Sequence, residues 1–427
     1  MSASPMSTAP KRILMVAYHF PPLAGSSGIQ RTLRFVQQLP AFGWEPIVLT
    51  ATPMAYERVD PGLSSEVPAH VHVHRALAFD TAKHLSVKGR YLAAMARPDR
   101  WVSWKFDAVR SGMRLIQQFR PDVIWSTYPI ATAHLIAQAL SRRSGLPWVA
   151  DFRDPMAQEG YPEDPLTWQQ FSAIESGAMS HARLSVFTTP GAARVYRERY
   201  PQARTRIEVI ENGYDEDSFH GLSDFGEPLN PGCLTLLHSG IVYPSERDPR
   251  ALFAALGQLK REQRIRPGTL KLRFRAAVHE DMLRQLAVTH DVESLIEILP
   301  PQPYRMALQE MLRADGLLVM QGSGCNEQIP AKVYEYLRCN RPILGLTDPS
   351  GDTAGVLAQA GVRRIAHLSS QDAIAHELLR FVEALAQGSA ERPEAAVVRA
   401  AARSERAKSL ASSLDELLMR GPSASVA

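Results

Sequence analysis

Short apolar runs alternate with helical spacings through most of this chain. Residues 13–18, Ile-Leu-Met-Val-Ala-Tyr, read as a buried parallel strand, and the glycine-bearing loop Pro21 to Gly28 follows. Leu33, Phe35, Val36 and Leu39 recur at helical spacing over 29–39, and residues 46–50 form the next strand, which completes a βαβ unit. The pattern continues with strands at 123–127, 148–151, 184–188 and 207–210 and with helices over 132–143 and 169–178. The stretch 219–232 has no period and is rich in Gly, Pro and Asp, so it reads as a linker. A second series follows, with strands at 234–238, 271–276, 295–299, 316–320 and 342–346. Helices over 249–260, 281–288, 304–313 and 331–338 lie between them.

Two such series predict an α/β protein of two doubly wound, Rossmann-like domains facing a cleft, with ligand outside the carboxyl ends of the strands. The expected division is a tail at 1–10, an N-terminal domain at 11–218, a linker at 219–231 and a C-terminal domain at 232–395. A terminal helix at 396–420 crosses back, and 421–427 is a second tail.

Length supports this division, since 427 residues exceed one ordinary core. The hydrophobic share of 45% and charged share of 22% are those of a soluble globular chain. A net charge of +4 suits an anionic ligand or membrane surface and argues against a nucleic-acid partner. Cys233, Cys325 and Cys339 have no metal-type spacing and read as reduced thiols or small buried hydrophobes. No apolar run reaches the roughly 18 residues that span a bilayer, and residues 1–10 lack the apolar core of a signal peptide. The expected location is therefore the cytoplasm, with peripheral contact at the membrane face.

Candidate chemistry gathers in two places. Gly25-Ser26-Ser27-Gly28 lies between a strand and a helix, where glycines let backbone approach an anion and the helix N-terminus offers free N–H groups. Arg31 could add a charged donor. The loop lacks the full G-x-G-x-x-G pattern and no acidic residue closes the next strand, which counts against a nicotinamide cofactor. A turn that merely packs chain and helix would look the same. The second place is Glu327 to Glu335, after an apolar strand and the loop Gly322-Ser323-Gly324. Pro330 suits a first helical position, leaving Glu327 in the loop and Glu335 in the helix. Two such carboxylates could accept from sugar hydroxyls and from a ribose diol, with Lys332 as a phosphate-seeking cation. The alternative is a solvated helix face.

These residues resemble glycosyltransferase family 4, a retaining, metal-independent class with the GT-B fold. Glu327 and Glu335 match its E-x7-E motif, and Lys332-Val-Tyr-Glu-Tyr-Leu with Arg341-Pro-Ile-Leu is similar to a bacterial surface-polysaccharide branch. Tyr18-His-Phe-Pro-Pro22, Pro121-Asp-Val-Ile124, Asp151-Phe-Arg-Asp-Pro155 and Thr189-Pro-Gly191 also fit, as do Ile210 to Asp215 and His238-Ser-Gly240 with Arg247-Asp-Pro249. The resemblance implies that Glu335 binds ribose and Glu327 the donor sugar. It implies that Arg247 and Lys332 neutralise the diphosphate, that Ser239 and Gly240 line the donor site, and that Gly25 and Gly28 approach the donor phosphates. No cofactor or metal is implied. The partners are a nucleotide-sugar donor and a glycan or lipid-linked acceptor. Arg153-Asp154 stands where many members carry His-Asp, so either could touch the sugar near the reacting carbon.

Asp215-Glu216-Asp217 matches a D-x-D metal pattern by letters but follows the turn Asn212-Gly213, whose glycine is expected at positive φ. His19 could face the cleft or be structural, and His70, His72 and His74 read as one exposed strand face. Residues 83–120 interleave Lys83, Lys88, Arg90, Arg97, Arg100, Lys105, Arg110, Arg114 and Arg120 with Tyr91, Trp101, Trp104 and Phe106. They form either a membrane-facing surface or the solvated side of two helices. The expected activity is sugar transfer (a hexosyltransferase). The alternatives are a nucleotide-sugar epimerase or phosphorylase on the same fold, or a non-catalytic nucleotide-sugar-binding protein.

Overall fold

A computed structural model describes residues 10–26, 28–223 and 226–419; the sequence-derived tails lie almost wholly outside them. The chain divides into two compact units, residues 1–211 with 404–427, and 212–403.

In the first unit seven strands form one parallel sheet: β1 (Lys11–Val16), β2 (Trp44–Ala51), β3 (His72–Ala76), β4 (Val123–Thr127), β5 (Trp148–Arg153), β6 (Leu184–Phe187) and β7 (Arg206–Val209). Their order is β3-β2-β1-β4-β5-β6-β7. Strand alternation sends Leu14 and Val16 of β1 to one core and Ile13 and Met15 to the other, so the whole run is buried. The second unit repeats the plan with β8 (Leu234–Ser239), β9 (Leu270–Arg275), β10 (Ile296–Leu299), β11 (Gly316–Gln321), β12 (Ile343–Thr347) and β13 (Ile365–Ala366), in the order β10-β9-β8-β11-β12-β13. In β11, Leu318 and Met320 face one core while Leu317 and Val319 face the other. Strand order reverses between β1 and β4 in one sheet and between β8 and β11 in the other. The loops leaving those strands are where such sheets take their ligands.

The units divide ahead of the Gly- and Pro-rich stretch 219–231, because Tyr214 and Phe219 are already buried in a core of the second unit. The expected single terminal helix is two, Ala395–Ala400 and Arg403–Met419. Between them Tyr214 N–H donates to Ala401 O at 3.2 Å and Arg403 N–H to Tyr214 O at 2.9 Å, taking backbone groups a continuous helix would need. Ala407, Leu410, Ala411 and Leu414 of the last helix pack in the first unit beside Ile13, Met15 and Val36. Gly213 does not take positive φ. It is needed for space instead, since a Cβ there would lie 2.4 Å from Ala401 O.

Candidate functional site

In the second unit the site forms on the loops leaving β8 and β11. Strand β8 ends at Ser239, whose N–H donates to the buried Tyr336 hydroxyl at 2.8 Å, tying the strand end to the helix Lys332–Cys339. Gly240 follows at φ 111°, and a Cβ on it would lie 3.1 Å from Lys332 Nζ. A side chain here would be strained and would push the ammonium away. Lys332 Nζ also lies 3.1 Å from His238 Nε2, while His238 Nδ1 lies 2.9 Å from Leu318 O. Only a protonated Nδ1 can bond that carbonyl, so Nε2 is the bare acceptor facing the lysine. Burial, then the Lys332 charge, hold His238 well below its usual pKa. Burial first, then the Arg247 charge, bring Lys332 down to about 7.

Arg247 comes from the loop after β8. Its Nη1 donates to Ile241 O at 2.9 Å and its guanidinium lies 5.2 Å from the Tyr243 ring centroid. Its buried Nε has no partner among the described residues. Gly322, opening the loop after β11, donates to Glu246 O at 2.6 Å, and a Cβ on it would lie 3.0 Å from that oxygen. The two loops therefore meet. Glu327 sits half-buried in a turn, and Asn326 beside it donates to Asp348 at 2.9 Å. The helix opens at Lys332 with Ala331 as its N-cap, so Pro330 lies just outside it rather than at its first position. Glu335 falls in the first turn, and its Oε1 accepts from the Tyr304 hydroxyl at 2.7 Å. Partial burial raises its pKa against that bond and the Arg403 and Lys332 charges.

In the first unit the corresponding loops leave β1 and β5. The register of β5 against β6 shifts between Asp151 and Arg153. Arg153 takes φ 65°, held by Thr188, whose N–H and hydroxyl donate to Arg153 O at 3.0 and 2.8 Å. A positive φ outside glycine at a bulge is a stored strain, and it turns the side chain toward Gly28. Arg153 Nη1 would lie 3.0 Å from a Gly28 Cβ, and His19 Nδ1 only 2.3 Å. Glycine is thus required at residue 28. Burial and the Arg153 charge lower His19 to about 4, so its ring is neutral beside the Ser26 hydroxyl at 3.2 Å. Asp154 is half-buried, has no side-chain hydrogen bond among the described residues, and is shifted upward by burial. Gly25 takes φ 83° and backs onto Arg58 instead.

Other sequence readings change. Arg31 is no phosphate donor: its guanidinium bonds both oxygens of buried Asp151 at 3.0 and 2.8 Å and caps Ile210 O at 2.9 Å. The D-x-D letters hold no metal-like set, since Glu216 pairs with Arg338 and Asp215 accepts from Ser218. No three His, Cys, Asp or Glu residues group as metal ligands among the described residues. Trp104 is fully buried and Trp101 partly buried against the core, so neither faces a membrane.

Sequence reasoning missed Tyr304, Tyr336 and Glu175. Glu175 is fully buried and accepts from Met156 N–H at 3.1 Å, Ala157 N–H at 2.8 Å, Arg199 at 2.9 Å and Tyr200 at 2.9 Å, as well as from Tyr196. It pins the loop carrying Asp154. A glutamate on one helix whose partners Tyr196, Arg199 and Tyr200 lie 21, 24 and 25 positions further on gives no signal before the chain is folded.

Residues 27–213 match the family described as glycosyl transferase 4-like domain. None of the proteins with curated functions matches the sequence. Among solved structures, Anabaena HepE in complex with UDP and glucose superposes with TM-score 0.65 at 13% identity, over 95% of this chain and 100% of that one. Sucrose-phosphate synthase from Thermosynechococcus elongatus gives 0.61 at 12%, over 96% and 98%. A UDP-N-acetylglucosamine 2-epimerase candidate from Listeria monocytogenes gives 0.58 at 12%, also over 96% and 98%. Residues 27–213 are thus similar to a glycosyl transferase 4-like domain, in a chain whose two parallel-sheet units carry the GT-B fold.

Proposed function

We propose that this chain is a retaining, metal-independent hexosyltransferase that uses a nucleotide-sugar donor and a glycan or lipid-linked acceptor in surface-polysaccharide synthesis. One observation carries the reading: Lys332 and Arg247 converge beside Gly240 at the strand-order reversal of the second sheet. Cleaving the C1–O bond of a sugar diphosphate leaves the electron pair on a phosphate oxygen. Fixed cations next to side-chain-free backbone stabilise that charge where it develops. Arg247 offers an Nε that has no partner among the described residues, and Lys332 leans on a neutral imidazole.

Glu335 then accepts from the ribose diol and Glu327 from the donor sugar. In the first unit Arg153 and Asp154 are the polar groups that the loop after β5 offers to a ligand. The acceptor oxygen attacks C1 on the face that the diphosphate leaves, and its proton passes to the leaving phosphate, so no enzyme adduct forms. The HepE likeness supports a uridine nucleotide as the first donor to try.

The test is thermal stability with UDP-, GDP-, ADP- and dTDP-sugars, with and without EDTA. Ligand at ~100 times its Kd adds about 2.7 kcal/mol. The expected result is a shift with one nucleotide class that survives EDTA and is lost in Glu335→Ala. A shift abolished by EDTA would overturn metal independence, and no shift at all would favour a non-donor role. Isomerised or hydrolysed sugar without acceptor would favour the epimerase reading.

A further inference from the structure

An exposed apolar and basic segment of the first unit has no part in the sites above. Thr81 anchors its base: its hydroxyl donates to Met95 O at 2.9 Å and to Arg100 O at 3.0 Å. Between these ties, Val87 and Arg90 exchange backbone hydrogen bonds at 2.9 and 3.0 Å. Lys88 and Gly89 at their tip take φ 52° and 74°. This is the two-residue turn with both central residues left-handed. A lysine holds that conformation at some cost, and the turn sets Val87 and Leu92 outward, 76% and 73% exposed, with Leu85, Tyr91 and Met95 also exposed. Exposed apolar side chains grouped within one anchored segment mark a contact surface.

The charges around the segment choose the partner. Arg97 is bound to Asp164 and Arg100 to Asp80 and Glu57, so both are neutralised locally. Among the described residues Lys83, Lys88 and Arg90 have no acidic partner, and residues 81–98 contain no Asp or Glu. We infer that this segment docks the protein on an anionic lipid bilayer, Val87, Tyr91 and Leu92 entering the interface and Lys83, Lys88 and Arg90 meeting the headgroups. Apolar insertion and unpaired cations on one short segment are the two contributions that hold proteins at such surfaces.

Cosedimentation of the full chain with vesicles of phosphatidylcholine alone, and of equimolar phosphatidylcholine and phosphatidylglycerol, tests this. The chain is expected to bind the anionic vesicles, to be released by salt, and to ignore the neutral ones. Val87→Ser with Leu92→Ser should weaken partitioning at least about tenfold. Lys88→Gln and Arg90→Gln should each cost roughly fivefold. Both pairs replace exposed side chains, and an unchanged melting temperature confirms folding. Glu335→Ala should bind vesicles like the wild type, which separates this proposal from the donor-site reading. Absent binding, equal binding to both vesicles, or undiminished binding by the variants would each overturn it. Loss of self-association in the variants without vesicle binding would assign the surface to a second copy of the chain.

Discussion

Lys332 is the residue whose titration would report the proposed donor site. Its ordinary pKa of 10.5 falls to about 7, so near neutrality only part of the free protein carries this charge. A diphosphate placed against it restores the charge. Nucleoside diphosphate binding at pH 8 should therefore take up a proton, seen as a dependence of calorimetric heat on buffer ionisation enthalpy and absent in Lys332→Met. The same shift sets a stability slope. Below pH 7 the folded state bears the full cost of the confined charge, and between about 7 and 10.5 the unfolded state holds more protons. Stability thus gains as pH rises through that window, and Lys332→Met should stabilise the protein by about 1–3 kcal/mol at pH 6 and less at pH 9. Tyr304→Phe removes the hydroxyl bonded to Glu335 and should weaken nucleotide binding roughly threefold to tenfold with little loss of fold. Glu327, Lys332 and Glu335 were readable beforehand because a motif of fixed spacing lies on one loop and one helix. Tyr304 and His238's bare nitrogen were not, since their roles arise from strands and helices far apart in sequence.

At the scale of elements, the loop after β1 depends on absent side chains. Gly28→Ala places a Cβ 2.3 Å from His19 Nδ1 and should destabilise the first unit by about 1–3 kcal/mol. Gly25→Ala, whose cost is conformational alone, should lose only about 1–2 kcal/mol. Denaturant titration of both variants separates the two mechanisms. Glu175→Ala takes the acceptor from the Ala157 N–H and the counter-charge from Arg199, while the Met156 N–H keeps the Tyr196 hydroxyl, and a loss of about 3–5 kcal/mol is expected. Most strands were legible because a parallel strand covered on both faces is a plain apolar run, as at 13–16 and 317–320. Strand β13 is only Ile365–Ala366, too short to carry a pattern. The helix Gln371–Ala386 was also passed over, although its buried Ile374, Ala375, Leu378 and Phe381 follow helical spacing.

At the scale of the whole molecule, each unit has its own sheet and cores, and calorimetry should resolve two transitions. Leu410→Ala with Leu414→Ala empties buried positions of the first unit, so its transition should fall by about 2–5 kcal/mol per substitution while the other stays. The return of a terminal helix to the first unit was expected from the sequence, whereas the division at 211 escaped it, because a Gly- and Pro-rich stretch resembles a linker whether or not its flanking tyrosine and phenylalanine are buried. The last helix bonds back to the beginning of the chain. Asp415 accepts from Lys11 and, at 2.9 Å, from the Trp44 indole, across 404 and 371 positions. During synthesis, β1 must leave the ribosome and then wait for its closing helix while the entire second unit is made. At ordinary elongation rates that is roughly 20 to 80 seconds with Ile13, Met15 and Val36 uncovered. The first half of the chain is thus a nascent client for chaperones, and a ribosome stalled past residue 403 would release a finished second unit tethered to an unfinished first.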